Sequence, residues 1–174
     1  MPEMHEANAL IEALRDQGFS LVSAESCTGG LLSGAITDVA GCSDVFLQGH
    51  VTYANAAKCA ALQIPETLIR EFGAVSAQTA RAMAQAAALG GVNLCNRPCL
   101  GLGTTGVAGP TGSEAKPVGT VFLAASVYHP ELGYSQTLPQ KLALSGSRQN
   151  IRQQAVIAAL TLGVKLLAGV DFRG

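Results

Sequence analysis

Apolar positions along this chain switch repeatedly between two periods, one near 3.6 residues and one of 2. Leu10, Ile11 and Leu14 share one face of an amphipathic helix predicted over Glu6 to Gln17, which Gly18 ends. Leu21, Val22 and Ala24 then suit a short buried strand, whereas Leu31, Leu32, Ala35, Ile36 and Val39 recur at helical spacing. The chain must therefore reverse direction across Glu25 to Gly30. After Gly41, the stretch Val45 to Tyr53 alternates as a strand, with Val45, Leu47, Val51 and Tyr53 on one face and the Tyr53 phenol at its end.

Asn55 stands where a helix N-cap belongs, making Ala56, Ala57 and Lys58 the first turn of the next helix. Pro65 starts a short helix that runs through Phe72. The turn GAVS, Gly73 to Ser76, places Ser76 as the cap of an alanine-rich helix from Ala77 to about Leu89. Cys99 to Gly103 and Val118 to Tyr128 are further apolar strands. Tyr134 to Leu144 returns antiparallel to the second of these, and Pro139 marks it as an edge or bulged strand. A last helix, about Ser147 to Leu167, buries a stripe of Ile151, Ala155, Ala158, Leu162 and Leu166.

Alternation of strands and helices with one late hairpin predicts an α/β fold: a single domain spanning residues 1–174, with a mixed, mostly parallel sheet and helices on both faces in three layers. Ligands of such sheets bind beyond the carboxyl ends of strands. The turns at Ser26, Tyr53 and Thr104/Thr105 each follow a strand, so they can converge at one pocket.

Composition narrows the chemistry. The 174 residues are 48% hydrophobic, enough for one core, and carry a formal net charge of -1. That balance, with a pI near 6.3, argues against nucleic acid or an anionic membrane as partner. The N-terminus is acidic where a signal peptide needs positive charge, and no later stretch is read as a membrane span, so a cytoplasmic location is expected. Cys27, Cys42, Cys59, Cys95 and Cys99 are five thiols without C-x-x-C spacing, which suits reduced cysteines. No metal site is predicted, because His5, His50 and His129 are scattered.

Candidate chemistry gathers at the first strand-to-helix turn. Gly29 and Gly30 allow close backbone approach, and the free N–H groups of the following helix would face an anion or a developing oxyanion. Ser26, Cys27 and Thr28 stand at that entrance, although Ser26 or Thr28 could equally serve only as a helix cap. Lys58 at the start of a helix sits in a positive field that lowers its pKa and makes it a better base, unless it is a solvated surface lysine. The segment Gly103 to Gly119 is rich in glycine and hydroxyls and contains Lys116; it reads as a phosphate-cradling loop or as a plain linker. Arg148 and Arg152, four residues apart at the start of the last helix, would form an anion clamp or a solvated basic face.

Six stretches in order, AESCTGG (Ala24 to Gly30), VTYANAAK (Val51 to Lys58), GAVS, TGVAGP (Thr105 to Pro110), KPVGTV (Lys116 to Val121) and SR-x-x-IR (Ser147 to Arg152), resemble the CinA C-terminal domain family, the nicotinamide-nucleotide amidases. The resemblance covers nearly the whole chain. It implies hydrolysis of nicotinamide mononucleotide to nicotinate mononucleotide and ammonia, a salvage step of the pyridine nucleotide cycle, by a serine/lysine mechanism needing no cofactor. Carried over, Ser26 is the nucleophile, Lys58 the base, and Tyr53 a hydroxyl that helps orient them. Substrate contacts are expected from Glu25, Cys27, Thr28, Gly29, Gly30, Asn55, Thr104, Thr105, Gly106, Gly109, Lys116 and Arg148, and a homodimer is plausible. The stretch Thr111 to Ala115 departs from the family's usual loop, which is one residue longer and richer in glycine. A catalytically silent nucleotide-binding module and a competence-associated interaction protein are the competing functional readings.

Overall fold

The computed structural model describes residues 2–170, so the two ends of the expected 1–174 domain lie outside the described residues. Six α-helices and five strands follow in the order α1 (Pro2–Gln17), β1 (Ser20–Glu25), α2 (Leu31–Thr37), β2 (Phe46–Val51), α3 (Asn55–Leu62), α4 (Glu66–Phe72), α5 (Ala77–Cys95), β3 (Cys99–Gly106), β4 (Thr120–His129), β5 (Tyr134–Ala143) and α6 (Arg148–Gly169). One sheet holds all five strands in the order β2-β1-β3-β4-β5. β1 pairs parallel with β2 and β3, whereas β4 runs antiparallel to both β3 and β5, so β4 alone points the other way. This is the mixed, mostly parallel α/β sheet expected.

Alternate residues of each strand feed the two faces, as a pleated strand requires. Leu21, Leu100, Leu102, Val121 and Leu123 pack with Leu10, Leu14, Leu32, Ile36, Leu160 and Leu167 of α1, α2 and α6. On the other face Val22, Ala24 and Cys99 meet Leu62, Ile69, Met83 and Ala87 of α3, α4 and α5. There α5 lies unusually close to the sheet: a Cβ at Gly101 would fall 2.0 Å from the Ala84 carbonyl, and one at Gly103 would fall 2.6 Å from that of Ala80. Only glycine admits such an approach.

Several boundaries differ from the pattern-based expectation. α5 continues to Cys95 through Gly90 and Gly91; at Gly91 a side chain would strike the Cys99 sulfur, so the glycine serves packing and does not end the helix. β3 runs on to Gly106, which makes Thr104 and Thr105 strand residues and not loop residues. The register slips between Leu21 and Val22, skipping Leu47, so the alternation expected across Val45 to Tyr53 breaks at a bulge. α3 begins at Asn55 with Ala54 as its cap and no side-chain cap bond, so Asn55 is a helical residue and not the N-cap. Against the expectation of no stretch resembling a membrane span, α6 has the length and apolar composition for one, yet half of its apolar window is buried inside this fold.

Candidate active site

Three chain crossings meet beyond the carboxyl ends of β1, β2 and β3, at the point where neighbouring connections leave for opposite faces of the sheet. They enclose a polar cavity of about 290 Å³, lined among others by Ser26, Cys27, Tyr53, Asn55, Lys58, Thr105, Gly109, Glu114 and Arg148. A larger cavity of about 690 Å³ between α3 and α4 touches Asn55 but neither Ser26 nor Lys58, and we assign the chemistry to the smaller one.

At the floor lies Lys58, only 1% exposed. Its Nζ is 3.2 Å from Ser26 Oγ, 2.9 Å from the Thr52 carbonyl and 3.1 Å from the Tyr53 carbonyl. Burial pulls the Lys58 ammonium below its ordinary pKa, against opposing influences from Cys27, Glu114 and Cys59. This depression was expected from the helix dipole; the structure attributes it to desolvation, with Lys58 inside the helix and past its first three residues. A neutral amine has two N–H bonds. If these are given to the Thr52 and Tyr53 carbonyls, the lone pair faces Ser26 Oγ, and the arrangement can withdraw the serine proton. Cys27, the other thiol or hydroxyl beside Ser26, is 4% exposed. Burial pushes its thiol up to about 11, so at neutral pH it carries almost no thiolate.

The β1 to α2 turn is organised by Glu25, fully buried beside Ser26. Its carboxylate accepts from the Thr28 hydroxyl, the N–H groups of Gly30, Leu32 and Ser33, and the Ser33 hydroxyl. This corrects the expectation that the α2 N-terminus offers free N–H groups to a substrate: the protein's own carboxylate already fills that place. Gly29 donates to the Ser26 carbonyl. Of the amides expected to face an oxyanion, those of Cys27 and Thr28 remain as candidates. Thr28 is further bonded to Thr104 at 2.8 Å between hydroxyl oxygens, both side chains fully buried. Glu25, Thr28, Gly29, Gly30 and Thr104 thus stand behind the pocket, outside its lining.

The two arginines separate. Arg148 donates to the Gly109 carbonyl and, at 2.9 Å, to the Tyr53 hydroxyl at the pocket rim. Arg152 turns away and donates to the carbonyls of Cys27 and Thr28, each at 3.0 Å, tying α6 to the serine turn. No joint anion clamp forms. Tyr53 also differs from its expected place: its ring is 58% exposed and its hydroxyl binds Arg148, while only its main-chain carbonyl reaches Lys58. Lys116 lies outside the lining, 3.8 Å from Glu114. Thr105, Gly106 and Gly109 do line the pocket. Thr105 donates to the Ala74 carbonyl at 2.7 Å.

Thr52 and Glu114 were missed by reading the sequence. Thr52 acts through a carbonyl, which no residue type signals. Glu114 had one available clue: it is the lone acid in the glycine-rich 103–119 segment. Among the described residues no group of His, Cys, Asp and Glu is placed to hold a metal ion.

Residues 4–167 match the CinA C-terminal domain. A CinA-like protein of Citrifermentans bemidjiense is 44% identical over 159 residues, covering 91% of this chain and 35% of the relative. Another, from Geobacter sulfurreducens, is 45% identical over 153 residues, 87% of this chain and 34% of the relative. The chain therefore spans about a third of the length of such curated relatives. Among solved structures, the competence/damage inducible protein CihA from Agrobacterium tumefaciens superposes with a TM-score of 0.82 at 35% identity, covering 97% of this chain and 96% of that one. A CinA superfamily protein from Klebsiella pneumoniae gives 0.80 at 27% identity, over 97% and 99%. With sequence motifs, domain match and fold in agreement across almost its full length, the chain belongs to the CinA C-terminal domain family.

Proposed function

We propose that this chain is an amidohydrolase that converts nicotinamide mononucleotide to nicotinate mononucleotide and ammonia. One observation carries the reading: a lysine buried to 1% exposure, its amine 3.2 Å from a serine hydroxyl, at the floor of an open polar pocket. Lys58 takes the proton of Ser26 as its Oγ attacks the carboxamide carbon, forming a C–O bond and a tetrahedral oxyanion. Collapse breaks the C–N bond, and the nitrogen leaves as ammonia with the proton held by Lys58. Water, activated by the same amine, then cleaves the acyl-serine ester and releases the carboxylate. The Cys27 and Thr28 amides are the candidate donors for the oxyanion, a contribution of about 3 to 4 kcal/mol for a well-placed donor. Arg148 uses two of its guanidinium contacts on Gly109 and Tyr53 and keeps further N–H groups at the rim, where a substrate phosphate would be held.

The test is ammonia release from nicotinamide mononucleotide by the purified chain, run beside Ser26→Ala, Lys58→Met and nicotinamide riboside. Release lost in both variants and weakened on the riboside is the expected outcome. A wild-type chain that binds the mononucleotide calorimetrically but releases no ammonia would overturn the amidase reading in favour of a non-catalytic nucleotide-binding domain.

A further inference from the structure

The GAVS turn has no part in the chemistry above, yet it is tied down at consecutive peptide groups. The Gly73 carbonyl accepts from the hydroxyls of Ser76 and Thr79 at 2.9 and 2.7 Å. Thr105 holds the Ala74 carbonyl. The N–H groups of Ala74 and Val75 both donate to the carboxylate of Glu114, at 3.0 and 2.9 Å. Glu114 reaches them from the far loop with a positive φ of 52°, as does Ala115 at 57°, a backbone conformation disfavoured for side-chain-bearing residues. Gly73 makes room for it: at φ +84 a Cβ there would stand 2.6 Å from Glu114 Oε2. Ala74, Val75 and Glu114 all line the same pocket as Ser26 and Lys58.

We propose that Glu114 is a positioning residue whose carboxylate clasps the Gly73 to Ser76 turn and so fixes the wall of the substrate pocket formed by the 105–117 segment. The inference rests on the amidase reading for its kinetic consequence but not for its physical content. Two charge-assisted hydrogen bonds from adjacent amides outweigh the strained backbone at Glu114 and Ala115. Without them the exposed part of the segment, beyond Thr105 and its bond to the Ala74 carbonyl, loses its side-chain hold on the turn, and substrate must order it on binding. The clasp also keeps a negative charge near Lys58; the thiols of Cys27 on the serine turn and Cys59 on α3 are the other titratable groups acting on that amine. Removing the carboxylate leaves the amine less basic, so the acid limb of kcat/KM moves to lower pH.

Glu114→Gln keeps the shape and removes the charge; Glu114→Ala removes both. Each should raise KM on the order of tenfold with kcat changed by less than about threefold. Gly73→Ala should do the same by displacing the unaltered Glu114 carboxylate, and combining it with Glu114→Ala should add little further. Hydrogen exchange at the Ala74 and Val75 amides should quicken in all three, and NMR titration of the Lys58 Cε should show a lower pKa in both Glu114 variants. Unchanged KM together with unchanged amide protection would overturn the clasp. The exchange and titration readouts need no turnover. A wild-type chain inert toward the mononucleotide therefore defeats the amidase reading, while these two measurements still decide the clasp.

Discussion

The two segments that enclose the Ser26 and Lys58 pair are built in opposite ways. The β1 to α2 turn is buried from Glu25 through Thr28, takes five donors on one carboxylate, and is braced from α6 by Arg152. The 107–119 segment is exposed from Pro110 to Ala115, and its side-chain anchor on the neighbouring turn is Glu114. The alignment of Ser26 with Lys58 is thus fixed by the buried interior of the fold. The wall facing them, by contrast, is a separable strap, and under the proposed clasp substrate recognition would depend on it.

That contrast can be broken at several points. The largest effect is expected from Ser26→Ala, which should lower kcat on the order of 10⁴-fold while leaving the urea unfolding midpoint unchanged, because only one hydroxyl is lost from a pocket surface. Glu25→Gln should do the reverse in kind, costing roughly 3 kcal/mol or more of unfolding free energy, since an amide cannot accept from all five donors. Equilibrium denaturation measures it. Equal stabilities for Glu25→Gln and Glu114→Gln would erase the distinction between turn and strap.

Lys58 sharpens the comparison through pH. Its pKa in the folded state lies below the ordinary 10.5, so between those two values the unfolded chain binds the extra proton. Stability should therefore rise with pH through that window, and the stabilising contribution is lost as pH falls through the folded pKa. Lys58→Met should flatten the slope. The smallest effect is expected at Cys27: with its thiol pushed up to about 11, alkylation at pH 8 should be slow, and Cys27→Ala should keep ammonia release within about threefold.

The layer order and the convergence of three turns were legible in the sequence, because apolar period and strand-end position are local properties. Ser26 and Lys58 stand out as a nucleophile type at a glycine turn and a cation at a helix start. What makes Lys58 less basic, however, is burial beneath Thr52, Tyr53 and Ser26, and burial is a property of the assembled fold. Arg148 and Arg152 share helical spacing but serve different carbonyls, since the serine turn passes under one and the strap under the other. Glu25 is adjacent to Ser26 in sequence, yet nothing local reveals that its carboxylate folds back onto the first turn of α2. Tyr53 was read through its phenol, whereas its carbonyl is the group that touches the amine.

The contact between α5 and β3 has a consequence for how such a chain can diverge. Where carbonyls of Ala80 and Ala84 rest against Gly101 and Gly103, the helix-to-sheet spacing is set by main chain on main chain, with no side chain to trade for another. Leu10, Leu14, Leu160 and Leu167 on the opposite face can exchange volume with their neighbours over generations, one substitution compensating the next. At the seam over Gly101 and Gly103 that route is closed, although Met83 and Ala87 beside it still pack through side chains. Drift in this domain should accumulate on the α1 and α6 side, while the Gly101 and Gly103 seam stays nearly frozen in size.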